Sequence, residues 1–200
     1  MSTAQVTNPK QEATHKPKKI ASLQFALKRL MSIHWIMATS YLILFMTGTT
    51  IFTLGENNYP IALLDFHVSM GLLVIGLLTY RTLTLLQVSW QKYSQRSPKF
   101  TPKWFGITAL HSSLYLFMWA VPVTGVFLAN TAGSDSVKFF GLPVPDVFPA
   151  NEALVTFAGN LHFWFAYTFL AFIFLHMGVQ HKTLQKAWRN GFRLISRSGT

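Results

Sequence analysis

The sequence contains no cysteine. Disulfides, iron–sulfur clusters, thiolate zinc sites and covalent c-type haem attachment are therefore excluded. Charge is also scarce: 12% of residues are charged, and only six of the 200 are acidic. Half of the chain is hydrophobic, and 18 residues are phenylalanine. That balance belongs to a membrane protein rather than a soluble domain. The net charge of +11 suggests a polyanion partner. The positive charges are confined to particular connecting segments, however, so nucleic acid is rejected as a partner.

Four apolar stretches reach the roughly 20 residues that a helix needs to span a bilayer. They cover about 32–54, 63–86, 108–129 and 159–180, and no other stretch qualifies. The expected fold is all-α, an integral membrane antiparallel four-helix bundle. No internal repeat is obvious between the halves. The first span has too long an apolar run, and no clean small-residue site after it, for a cleavable signal peptide. Residues 1–24 read as a disordered basic tail, 25–185 as the transmembrane domain and 186–200 as a second basic tail.

Lysine and arginine set the orientation. The N-terminal segment holds Lys10, Lys16, Lys18, Lys19, Lys28 and Arg29. The second loop holds Lys92, Arg96, Lys99 and Lys103, and the C-terminal tail Lys182, Lys186, Arg189, Arg193 and Arg197. These are 15 of the 17 basic residues. The first loop has none, and the third has Lys138 beside Asp135, Asp146 and Glu152. Both termini and loop 2 are expected in the cytoplasm, with a bacterial plasma membrane the expected host. Loops 1 and 3 fall on the positive side. The basic segments also suit anionic lipid.

The stretch "LHFWFAYTFLAFIFLHMG", 161–178, carries His162 and His176. They are 14 residues apart, which on a helix is about 21 Å of rise and about 40° short of four turns. Both imidazoles share one face, near opposite sides of the bilayer. Intramembrane ionisable groups are costly and mark function. In an antiparallel bundle His34 falls at the level of His176, and His67 at the level of His162. Each pair can supply both axial ligands of one haem iron held between helices. Two haem b groups are expected. The runner-up is four structural histidines, each bonded to a neighbouring helix.

The same offset recurs from His34 to Gly48, His67 to Arg81 and His111 to Gly125. The glycines remove bulk at the positive-side level. Arg81 places a cation near the cytoplasmic-side haem, where it can pair a propionate or snorkel to the interface. His111 can bond a propionate, line a quinone site, compete with His34 as ligand, or sit as an interfacial histidine. His181 reads as interfacial, and His15 has no assigned role. "HMGVQH", 176–181, has a di-iron desaturase spacing, but seven histidines at two depths do not make that cluster. Zinc lacks a carboxylate or thiolate at either level.

The segments "RLMSIHWIMATSYLILFMTG", "FHVSMGLLVIGLLTYR", "LHSSLYLFMWAVPVTGVFLA", "FFGLPVP" and "LHFWFAYTFLAFIFLHMG" resemble the bacterial cytochrome b561 family over about residues 25–190. The His-Trp pair and the Phe-Phe-Gly-Leu-Pro-x-Pro loop carry the resemblance. The twin histidines of the last helix are shared with the cytochrome b anchors of membrane hydrogenases and formate dehydrogenases. The resemblance implies haem ligation by His34 with His176 and by His67 with His162. It also implies electron transfer across or within the membrane, with quinone as the usual partner. A superoxide:quinone oxidoreductase activity is associated with the family, but no motif for it is visible here. The basic N-terminal tail departs from the family pattern.

Two readings follow. One is a free-standing di-haem electron carrier, an oxidoreductase of superoxide or quinol. The other is a cytochrome b anchor that relays electrons between a soluble dehydrogenase and quinone. The redox partner and the oligomeric state stay open. Loop 3, residues 130–155, is too rich in proline to be helical throughout and reads as a lid over the outer haem. Phe139 and Phe140 are expected to anchor it in the interface. Pro122 is expected to kink the third helix, with a neighbouring helix or Thr124 satisfying the freed carbonyl.

Overall fold

The computed structural model describes the backbone of residues 9–55, 58–93, 101–133 and 137–181. Side chains are described within these from residue 25 onward, apart from 91–93 and 103. Four helices run in sequence: α1 Pro9–Leu54, α2 Ile61–Tyr93, α3 Pro102–Thr131 and α4 Glu152–Val179. A two-stranded hairpin, β1 Lys138–Phe139 and β2 Leu142–Pro143, lies between α3 and α4. Each helix contains a span long and apolar enough to cross a membrane.

Helix ends follow local chemistry. Thr101 caps α3, its Oγ1 accepting from the Trp104 N–H at 3.2 Å, and Pro102 follows in the first turn, where its missing N–H costs nothing. Asn151 caps α4 by accepting from Ala153 N–H at 3.1 Å, with Glu152 in the first turn. This cap starts α4 about two turns before the apolar run from which its start was expected. Gly55 stops α1 with φ +76°, the left-handed conformation that favours glycine.

The expected start of α1 near residue 32 is corrected: the helix begins at Pro9 and includes most of the segment read as a disordered tail. Ala, Gln, Lys and Leu in this segment are good helix formers, and the apolar span supplies the costly nucleus. Residues 1–8 and the second basic tail, 186–200, lie outside the described residues, as do Arg96, Lys99 and Lys182.

α1 packs chiefly on α2, and α3 on α4, with α2 also against α3. The central core is Ile33, Met37, Tyr41, Val74, Leu78, Leu114 and Phe169. Tyr41 and Phe169 meet edge to face at 5.0 Å. Large apolar side chains also cover the outside, among them Leu42, Met46, Phe52, Leu83, Leu116, Trp164 and Phe174. Such a surface needs lipid as its solvent. The protein is a multi-pass membrane protein.

Pro122 lies inside α3 and cannot donate to the Met118 carbonyl. Tyr41 of α1 fills that role, its hydroxyl donating to Met118 O at 3.0 Å. The neighbouring helix therefore supplies the partner, and Thr124 is left for another use.

Loop 3 folds back onto the bundle. The hairpin turns through Phe140 (φ 48°) and Gly141 (φ 90°), two left-handed residues as a type I′ turn requires. Ser69 of α2 is buried and accepts from the Phe140 N–H at 2.9 Å. This bond holds the strained Phe140, whose ring is exposed. Asn130 at the end of α3 donates to Asp146 Oδ1 at 2.6 Å and accepts from the N–H groups of Val147 and Phe148. The loop thus seals the α2–α3 groove at that end.

Candidate functional site

The four intramembrane histidines meet in two pairs. At the loop-3 end, His67 of α2 and His162 of α4 have ring centres 6.3 Å apart, with planes at 87°. At the end of the bundle that holds the tails, His34 of α1 and His176 of α4 have ring centres 6.5 Å apart at 74°. Two facing imidazoles that would hold one iron need ring centres roughly 6 Å apart, allowing about 2 Å for each iron–nitrogen bond and about 1 Å from nitrogen to ring centre. Both pairs have that separation. Among the described residues no group of three or more His, Asp or Glu could hold a metal ion. A two-imidazole site suits a metal whose other ligands come from a macrocycle.

The loop-side pair is held by threonine–glycine dipeptides on the other two helices. Thr47 Oγ1 lies 2.8 Å from His67 Nδ1. Thr124 Oγ1 lies 3.2 Å from His162 Nδ1, and the Val121 carbonyl lies 3.0 Å from the same nitrogen. The glycines lie against the same rings. A Cβ on Gly48 would stand 3.1 Å from His67 Cε1, and one on Gly125 would stand 3.1 Å from His162 Cε1. Each Nδ1 is engaged, which leaves Nε2 as the free ligand atom.

The tail-side pair has different surroundings. The buried His176 Nδ1 has no hydrogen-bond partner among the described residues. His111 stands edge-on to His176 at 5.1 Å, nearer than an iron between the rings would allow. Its Nδ1 donates to its own helix at Ile107 O, 2.7 Å away. Arg81 donates from Nε to Tyr115 at 2.9 Å and from Nη1 to the Leu30 carbonyl at 2.8 Å. Leu30 precedes His34 by one turn, so Arg81 lies at the expected level. His181 donates from Nδ1 to Gly178 O, in its own last turn, at 3.0 Å.

The structure brings together His34 with His176 and His67 with His162, and places Arg81 and His111 beside the first pair. Thr47, Tyr115 and Tyr41 went unrecognised in the sequence, and Thr124 was read only as a partner for the Pro122 gap. One signal was available: the glycine 14 residues after His34 and the one 14 after His111 both follow a threonine. This is a short pattern common to the two halves that was not obvious in the sequence. α1 and α3 carry the same His…Thr-Gly arrangement, and α2 and α4 each carry its target histidine.

The family model for prokaryotic cytochrome b561 matches residues 28–186. Cytochrome b561 homolog 2 of Escherichia coli (strain K12) is 28% identical over 165 residues, 78% of this chain and 83% of that protein. No solved structure matches. With its four apolar spans and paired intramembrane histidines, the chain belongs to the prokaryotic cytochrome b561 family of membrane b-type cytochromes.

Proposed function

We propose that the chain binds two haem b groups, one at each histidine pair, and relays electrons between the two membrane faces in exchange with quinone. Family membership makes the protein a haem-binding electron-transfer cytochrome of the membrane. The observation that carries the finer reading is the pair of imidazole separations, 6.3 and 6.5 Å, at two levels of one bundle. When bound, haem supplies a reversible one-electron iron couple.

The residues of this chain do the rest. His67 and His162 would hold the loop-side group through Nε2, and His34 and His176 the tail-side group. Held by two imidazoles, each haem would be suited to electron exchange rather than oxygen binding. Arg81 sets a fixed cation at the tail-side level and suits a propionate carboxylate. Tyr41 and Phe169 are buried and pack the layer between the levels. The lipid-facing helices give a membrane-dissolved quinone access from the bilayer. Among the described residues no side chain in the site singles out superoxide.

Reconstitution tests the relay. Holoprotein in vesicles containing a reduced quinone should pass electrons to an impermeant one-electron acceptor outside, and haem-free protein should not. Holoprotein that is neither reduced by quinol nor oxidised by quinone would overturn the quinone part of the reading.

A further inference from the structure

The loop-side histidines are fixed by hydroxyl groups whose own protons are already committed. Thr47 Oγ1 donates to Ile43 O at 3.0 Å on its own helix, with Leu44 O at 3.2 Å. Thr124 Oγ1 donates to Val121 O at 2.8 Å. A hydroxyl carries one proton. With those protons on the carbonyls, both threonines act as acceptors toward His67 and His162, which matches imidazoles that bind through Nε2 and carry their proton on Nδ1. Val121 O makes the same demand on His162, because a carbonyl has no proton to give. Gly48 and Gly125 then seat each ring where a Cβ would crowd it, 3.1 Å from Cε1 in both cases. At the tail side the buried His176 Nδ1 has no such acceptor among the described residues. A fixed charge at that level is the Arg81 guanidinium, tied to α1 at Leu30.

We infer that Thr47 and Thr124 are positioning residues that set the tautomer and electron-donating strength of the loop-side ligands, making the loop-side site the lower-potential one of the two. The inference rests on the two-haem reading. An acceptor at Nδ1–H pushes electron density toward Nε2 and raises ligand basicity. A more basic ligand favours ferric iron and lowers the potential. A nearby cation acts oppositely, because it favours the state carrying one more electron. The two ends of the bundle are thus biased in opposite directions by different groups. Electrons entering at the loop-3 face run downhill toward the tail face.

Optical redox titration of the full-length holoprotein tests this, with haem content measured first and the ferric spin-resonance spectrum recorded alongside. Losing the upper midpoint in His34→Ala and the lower one in His162→Ala assigns each step. Thr47→Val should raise the lower midpoint, Thr124→Val should raise it less because the Val121 carbonyl still accepts from His162 Nδ1, and together they should raise it further, while the upper one stays. Thr47→Ser and Thr124→Ser keep the hydroxyl and should restore it. If the valine variants lose the loop-side haem and the serine variants keep it at the native potential, the hydroxyl role still stands. Two haems per chain with an unmoved lower midpoint would overturn the inference, as would serine variants that behave like valine. Assignment of the lower midpoint to the His34 level would do the same. A wild-type haem count below two would instead defeat the underlying two-haem reading.

Discussion

Tyr41 on α1 and Met118 on α3 are joined by a 3.0 Å hydrogen bond at the one carbonyl that Pro122 leaves without its partner four residues ahead. Tyr41 lies midway between His34 and Gly48, and Met118 midway between His111 and Gly125. The bond therefore ties the bundle together halfway between the two histidine levels. Tyr41→Phe keeps the ring and strands a buried acceptor, at a cost of about 1–3 kcal/mol. Thermal unfolding in detergent should show the loss with haem content intact. Pro122→Ala returns an N–H to the helix, so the double variant should recover much of that stability. If the two changes simply add, the carbonyl was never the shared partner.

Gly48→Ala and Gly125→Ala should disturb only the loop-side site. The added Cβ meets His67 or His162 at 3.1 Å, tighter than ordinary contact, and the ring has to move. The expected result is loss or weakened retention of one haem per chain. Gly71→Ala and Gly76→Ala are the controls, because a Cβ there meets nothing within 4 Å. Alanine at these two sites should leave haem content unchanged and favour the helix slightly. Equal effects at all four positions would mean that glycine serves helix packing alone.

Arg81→Leu should lower the midpoint potential of the tail-side haem and loosen its binding. The guanidinium favours the reduced state, and leucine removes that charge while also freeing Tyr115 and Leu30 O from their donor. The loop-side haem, about 21 Å away along the helix axis, should barely respond. A shift confined to the loop-side haem contradicts the placement of Arg81 at the His34 level. No shift at either haem means that its charge is neutralised by solvent.

Reporter fusions address orientation, which rests on the distribution of basic residues. A reporter active only in an oxidising compartment should be silent at residue 200 and active when inserted in loop 3 near Gly141. The reverse pattern would invert the bundle and with it the direction of electron flow.

Much of this was legible in the sequence because the signals are intrinsic to single helices. Four apolar runs imply four spans, and the 14-residue offset places His162 and His176 on one face without knowledge of any partner. The pairing of His34 with His176 needed only an antiparallel arrangement. Contacts between helices were less legible. That Thr47 reaches His67, or Tyr41 the Met118 carbonyl, depends on helix rotation and approach, which apolar periodicity leaves nearly free when every face is greasy. The start of α1 was misplaced for a related reason. Its polar residues carry no membrane signal, yet they continue a helix that the span has already nucleated. The early start of α4 was set by the Asn151 cap rather than by hydropathy.

The central claim is two haems on two histidine pairs, and the haem-to-protein ratio tests it most directly. A pyridine haemochrome assay should return two b-type haems per wild-type chain, one for His162→Ala and one for His34→Ala. The same assay should return two for His111→Ala, because that ring lies too near His176 to share an iron with it. A wild-type ratio of one or zero would contradict the account, as would loss of a haem in His111→Ala with retention of both in His34→Ala.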